Sequence, residues 1–324
     1  MDSRHTLPIP FGWYGVAFSS ELQAGEVKPL KYFDQDLVLF RTEDGVAHAL
    51  EAFCPHLGAH LGYGGVVKGD VIACPFHAWE FNGEGHVKNI PYAKQIPPKI
   101  AGKQCLYKYP TVERNNTIWA WYHPQRVEPS FEVVELAETS SPEWTEFSHY
   151  DWEIDAAIQE TAENAADAAH FTFVHSSRDV PKGEVHHQGP QRHAFFKSKT
   201  PSMDEQGNLD TTGTKWRDAE LETSNCGPGQ TWQRFTGLID TLMLGVVTPI
   251  TANRLHLRFA YTQKKSHNAA QKVMAKSLID NISLQVEQDI PIWQHKIYRP
   301  EPILCDGDGP INQFRKWFGQ FYAE

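Results

Sequence analysis

The sequence predicts an α+β protein in two parts: a small antiparallel β domain, then a larger domain that mixes strands with a few helices. Three observations lead there. The chain has 324 residues, 40% hydrophobic and 22% charged, enough apolar surface for a packed core and too much for a disordered chain. At that length one core usually gives way to two. From Phe11 to about His123 the chain is a series of short β-type runs (LVLFRTEDGVAHALEAF, VIACPFHAWEFNGEGHV, TIWAWYHP), separated by turn signals such as EDG and NGEG. HPQRVEPSFE, residues 123–132, reads as a linker, so the domains are expected at 10–125 and 126–324.

The second domain changes type along its length. IDAAIQETAENAADAAHF is dense in Ala, Glu and Gln and reads as helix. Strand-like runs follow between 190 and 262: QRHAFFKSKT, TWQRFTGLIDTLMLGVVTP and RLHLRFAYT. Asn268 to Tyr298 is a long helical candidate, with Val273, Ile282, Val286, Ile290, Trp293 and Ile297 forming one apolar stripe.

Composition narrows the function. Acidic residues outnumber basic ones by 40 to 30, a net charge of −10, which argues against generic nucleic-acid binding. The apolar run at 242–247 is too short to span a bilayer, and no secretory signal is visible, so a cytoplasmic protein is expected. Five cysteines do not make a disulfide framework in a chain this long, which directs attention to Cys and His together.

Cys54-Pro-His56 and Cys74-Pro-Phe-His77 form one such set. Each half is a tight loop offering one thiolate and one imidazole. Two such loops suit a [2Fe-2S] cluster of the Rieske kind, with Cys54 and Cys74 on one iron and His56 and His77 on the other. Pro55 and Pro75 stiffen the loops, and Gly58, Gly62, Gly64 and Gly65 are expected to let backbone approach the cluster. A structural zinc site is the alternative, but zinc motifs usually pair Cys with Cys and His with His at short spacing.

A second set lies on the Ala-rich run: Asn164, Asp167, His170 and His175. The first three step by three and share a broad helix face. His170 and His175 are five apart, about 140° on an ideal helix, and converge only if the helix ends near 171–173. Two imidazoles and a carboxylate make the facial triad of non-haem Fe(II) oxygenases. Asp289 is the expected carboxylate, with Glu287 competing, and Pro291 is expected to kink the helix beside it.

With these motifs in view, the chain resembles the oxygenase component of Rieske non-haem iron oxygenases over nearly its full length. The ending IWQHKIYRPEPILCDGDGPINQFRKWFGQFY is similar to that of the 3-ketosteroid 9α-hydroxylase and cholesterol 7-desaturase group. The resemblance implies a Rieske domain followed by a helix-grip (START-like) catalytic domain, with a curved antiparallel sheet around the long C-terminal helix. It implies a homotrimer in which the cluster of one subunit faces the mononuclear iron of its neighbour, and Asp167 bridges a cluster histidine to an iron histidine. It implies O2 as co-substrate and a separate flavin or iron–sulfur reductase that draws on NAD(P)H. The chain itself has no dinucleotide fingerprint; G62-Y-G64-G65 does not fit one.

For Asp167 the residues suggest a related role, a carboxylate hydrogen-bonded to a ligating imidazole. The expected activity is oxidation of a C–H bond of a steroid or sterol, such as 9α-hydroxylation of a 3-ketosteroid. Desaturation or demethylation of a sterol, and an aromatic or amine substrate, are the alternatives. An electron carrier with a docking C-terminal half is a third class. A dry substrate pocket is expected from a subset of Trp232, Phe235, Leu238, Leu242, Met243, Leu244, Val246 and Val247.

Overall fold

The computed structural model describes residues 7–167, 169–175, 183–201, 215–237, 239–266 and 269–323. The chain divides into two compact units, Trp13–Glu132 and Met1–Gly12 with Val133–Glu324.

The first unit is built from three antiparallel sheets. One joins Gly12–Phe18, Thr117–Tyr122 and Thr111–Arg114. The second orders Val27–Tyr32, Gln35–Arg41, Ala47–Glu51 and Lys108–Tyr109. The third orders Val66–Lys68, Val71–Ala73, Glu80–Asn82 and Val87–Asn89. Two hairpins turn on residue pairs with positive φ, Phe33-Asp34 and Asn115-Asn116, the twist that a two-residue hairpin requires. Leu61, Ile72, Phe81 and Leu106 are buried in one core with Cys54 and Cys74. The loop Cys74–Trp79 connects two strands of the third sheet, so the sheet fixes both its ends.

The second unit holds a seven-stranded antiparallel sheet. Its order is Ser148–Ile154, Arg254–Gln263, Thr241–Thr251, Gln230–Thr236, Trp216–Cys226, Gln191–Pro201 and Gly183–Gln188. The last six strands form a meander, and Ser148–Ile154 closes on its far edge. The strand-like runs of the sequence fall on this sheet. Ser148–Ile154, Gly183–Gln188 and Trp216–Cys226 are additional strands that the sequence reading did not identify.

The helices are α1 (Ile158–Ala162), α2 (His170–Phe173), α3 (Ala269–His295) and α4 (Ile311–Phe318). The Ala-rich run is thus not one helix. After α1 it tightens to a 3-10 turn over Glu163–Ala165, then restarts at α2. The carboxylate of Asp167 explains the restart: Oδ1 accepts from the backbone N–H of Ala169 at 3.1 Å and of His170 at 3.3 Å. A side chain that satisfies the free donors of a new turn outweighs alanine's helix preference.

On α3, Ile279, Ile282, Val286, Asp289 and Trp293 are buried, spaced three and four apart. Val273 and Ile297 of the expected stripe are exposed, the second beyond the helix end. Pro291 lies inside the helix. Among the described residues no helix is long and apolar enough to cross a membrane.

Candidate metal centres and substrate cavity

The two cluster loops share one backbone. In each, the cysteine N–H donates to the carbonyl five residues on (Ala59 at 2.8 Å, Trp79 at 2.8 Å), and its carbonyl accepts from the N–H four residues on (Gly58 at 2.9 Å, Ala78 at 3.0 Å). The fourth residue has positive φ in both, Gly58 at 75° and Ala78 at 54°. Ala78 holds a left-handed conformation that costs a non-glycine residue of order 1 kcal/mol. The loops differ in where the histidine sits, third position in one and fourth in the other, so both rings reach one place. Their centroids lie 4.8 Å apart. His56 stacks on Trp79 at 4.7 Å, and Trp79 Nε1 donates to Tyr92 Oη at 2.8 Å.

The donor set fits a [2Fe-2S] cluster. Cys54 and Cys74 are free, buried and in mutual contact, and burial pushes the Cys54 thiol up to about 11. His77 Nδ1 is buried without a hydrogen bond among the described residues. A zinc site usually pairs Cys with Cys and His with His at short spacing, which neither loop does; among the described residues the donors already gathered for a single ion are a trio elsewhere, within 4.8 Å of one another. The glycines serve the fold as well: a Cβ at Gly65 would collide with the Leu61 carbonyl, so that close approach is to the chain's own backbone.

That trio is His170, His175 and Asp289. His170 opens α2, and His175 follows its end at Phe173, where the helix stops as the spacing required. The rings are 5.1 Å apart. His170 Nδ1 meets the main-chain carbonyl of Asp167, which can only accept, so Nδ1 carries the proton and Nε2 keeps a lone pair. His175 Nδ1 lies 3.0 Å from Gln288 Oε1, which has the same consequence. His175 Nε2 is 3.3 Å from Asp289 Oδ1. The imidazole partner at Asp167 is therefore its carbonyl, not the carboxylate expected from sequence; the carboxylate is engaged in starting α2.

Asp289 is 8% exposed, whereas Glu287 points to solvent. Asn164 fixes it: Nδ2 donates to Asp289 Oδ2 at 2.9 Å, and Oδ1 accepts from Trp293 Nε1 at 3.1 Å. Burial pushes the Asp289 carboxyl up, against the downward pull of His175 and His170. Gln288 and Trp293 were missed in the sequence reading; both flank Asp289 on α3.

The trio opens on a cavity lined by His175 and Asp289, by Ile282 and Val286 of α3, and by one face of the sheet. The strand register sets that face: Gln233 pairs with Met243, Thr231 with Gly245 and Asn225 with Thr231. Phe259 lies opposite Gly245, and Val247 opposite Leu257. A side chain at Gly245 would strike Thr231, so the glycine keeps this row open. Of the expected pocket residues, Met243 and Val247 line the cavity. Trp232, Leu242, Leu244 and Val246 alternate to the opposite face and are buried there, Trp232 donating to Glu222 Oε1 at 3.1 Å. Phe235 is half-buried and outside the lining; Leu238 lies outside the described residues.

Comparison with known proteins agrees with this layout. The Rieske [2Fe-2S] domain family matches residues 12–110, and the 3-ketosteroid 9α-hydroxylase C-terminal domain family matches residues 120–322. The chain belongs to the 3-ketosteroid 9α-hydroxylase family of Rieske oxygenases. A 3-ketosteroid-9-alpha-monooxygenase oxygenase component of Rhodococcus rhodochrous is 31% identical over 97% of this chain and 81% of its own. A cholesterol 7-desaturase of Drosophila melanogaster is 33% identical over 98% of this chain and 76% of its own. Among solved structures, apo dicamba monooxygenase covers 98% of both chains with a TM-score of 0.73 at 19% identity. NdmA of Pseudomonas putida CBB5 with caffeine also has a TM-score of 0.73 at 19% identity, over 95% of this chain and 89% of its own. At that identity the structures share the fold. This Rieske oxygenase thus carries its cluster loops in the first unit and the histidine–carboxylate trio in the second.

Proposed function

We propose that this oxygenase oxidises a C–H bond of a steroid or sterol with O2, at a mononuclear Fe(II) held by His170, His175 and Asp289. One observation carries the reading: both imidazoles have Nδ1 committed, leaving Nε2 lone pairs beside a buried carboxylate on an apolar cavity. When bound, the cluster supplies single electrons and the lone iron supplies O2 activation. The chain's own residues do the rest. Asn164 orients the Asp289 carboxylate, Gln288 orients His175, and the Asp167 carbonyl orients His170. Met243, Val247, Leu257 and Phe259 give a rigid apolar substrate a dry wall, while Thr223, Asn225, Thr231 and Gln233 offer polar contacts on the other strands.

The name "oxygenase component" borne by the Rhodococcus relative supports a separate reductase as electron source, with NAD(P)H behind it. Leu57 and Phe76, beside His56 and His77, are exposed apolar residues, and so is Phe173. Such residues support burial against further copies, as in a homotrimer. In that assembly Asp167, whose carbonyl meets His170 Nδ1, would reach a cluster histidine of another copy through its carboxylate. Relatives named for desaturation match as well as those named for hydroxylation, so a sterol desaturase is the second reading.

The test is metal analysis followed by a substrate panel. The reconstituted protein is expected to hold about three irons per chain, against two for an electron carrier. With a surrogate reductase, 3-ketosteroids and sterols are screened and products read by mass, gain of one oxygen marking hydroxylation and loss of two hydrogens desaturation. Turnover of aromatic or amine compounds alone overturns the steroid reading.

A further inference from the structure

The C-terminal stretch that carries the family resemblance supplies no donor to the trio and only Trp293 to its cavity. It grips the segment that carries Asn164. Arg315 donates from Nε and Nη2 to the two oxygens of Glu163 at 2.6 and 2.9 Å, and its guanidinium lies over the Tyr298 ring at 4.9 Å. Lys296 Nζ is 2.9 Å from Glu160 Oε2, and Tyr322 Oη donates to Gln159 Oε1 at 2.9 Å. From the sheet, Arg192 Nη2 donates to the carbonyl of Ala165. Asn164 is thus flanked by one residue held by Arg315 and another held by Arg192.

We propose that Arg315 and Arg192 are positioning residues that fix Asn164 from both sides and through it set the Asp289 carboxylate against His170 and His175. This rests on the metal role given to the trio above. The chain of contacts is short: arginine to Glu163 or Ala165, Asn164 Nδ2 to Asp289 Oδ2, and Asp289 Oδ1 to His175 Nε2. Asn164 sits in a three-residue 3-10 turn between two helix fragments of five and four residues. Helices that short do not hold themselves. Something outside them must set the side chain's direction, and the two guanidinium contacts are on its immediate neighbours.

Arg192 is the more telling of the two. It is fully buried, its Nε and Nη1 make no hydrogen bond, and no carboxylate faces it among the described residues. A cation buried on such terms does little for net stability, and a fixed conformation is the better account of its place. The bidentate Arg315–Glu163 pair works similarly: its fork admits one geometry, where a lysine would swivel.

The experiment uses the full chain with its cluster loaded. Ferrous iron retained against a chelator is counted relative to the cluster's visible absorbance, with product formed per O2 consumed and the melting temperature measured beside it. Arg315→Met and Arg192→Met are expected to weaken iron retention roughly 10-fold or more and to lower product per O2, with the cluster intact. Arg315→Lys recovers part of the retention. Tyr322→Phe, which loosens the same tail one turn away at Gln159, lowers the melting temperature and leaves iron retention as in wild type. If both methionine variants melt lower yet hold iron and couple O2 as wild type does, the residues are ordinary structural arginines and the inference fails. Should Arg192→Met not fold, the Arg315 series decides. A wild-type chain with no chelatable third iron overturns the metal reading and this inference with it.

Discussion

The two candidate metal centres are built on opposite plans. The cluster loops are local: each cysteine and its histidine lie two or three residues apart, and a repeated pair of backbone hydrogen bonds turns that spacing into geometry. The trio is assembled: His170 and His175 bracket a four-residue helix, and Asp289 arrives from a helix more than a hundred residues later. A local site is legible in its motif and robust to distant change. An assembled site depends on whatever holds its fragments, which is the ground for proposing Asn164, Gln288 and the arginines as its supports, whereas at the cluster loops the neighbouring contact is the stack of His56 on Trp79 within the same loop pair.

The sharpest break of this contrast is expected from the ligands themselves. Cys54→Ser should bleach the visible cluster and bring turnover to background, since serine is a poor substitute for a thiolate that would hold a cluster iron. Absorbance of the purified protein checks it. Asp289→Ala should also bring turnover to background but leave the cluster spectrum unchanged, losing only the third iron. Glu287→Gln, two residues away and exposed, should change neither. A Glu287 variant that loses iron while Asp289→Ala keeps it would reassign the carboxylate.

How much was legible follows the same division. Cys54, His56, Cys74 and His77 stand out as a candidate set from spacing alone, because the loops are short. Asp289 was readable in a way the sequence reading did not use: it falls on the three-four spacing of Ile279, Ile282, Val286 and Trp293, a carboxylate where an apolar residue belongs, whereas Glu287 falls off it. The break of the Ala-rich helix was hidden, because composition there favours helix and only the Asp167 carboxylate, accepting from the next turn, shows why it restarts. The pocket face was hidden for another reason. LMLGVV is apolar on both faces, so parity cannot be assigned without the register that pairs Met243 with Gln233. Ser148–Ile154 went unnoticed because its partner strand, Arg254–Gln263, is a hundred residues away.

That parity gives a smaller, more selective test. Met243→Ala widens the cavity wall and should alter product distribution or raise KM on a steroid substrate, at a stability cost of about 2–4 kcal/mol. Trp232→Ala removes a larger buried side chain from the opposite face and should cost about 3–5 kcal/mol with product distribution unchanged. Product analysis at a temperature where both variants remain folded distinguishes them; a shift in regiochemistry with Trp232→Ala alone would place the substrate on the wrong side of the sheet.

The smallest effect separates the units by acid. Asp289 is buried among histidines and its carboxyl is pushed up. Glu113 in the cluster-bearing unit is the opposite case: the Arg41 fork donates to both its oxygens at 2.8 and 2.9 Å and holds its carboxyl below the usual range. A depressed carboxylate stabilises the fold fully above its unfolded value, near 4.3, and loses that contribution as pH falls from there through the folded value. Glu113 is partly exposed, so the pair is worth about 1 kcal/mol or less, a few degrees in the midpoint at which heat bleaches the cluster. Wild type should therefore bleach slightly later than Glu113→Gln at neutral pH, and the gap should close as the pH is lowered past 4. A gap that stays constant into the acid range would mean that glutamine disturbs packing beside Arg41, and that the ion pair contributes nothing of its own.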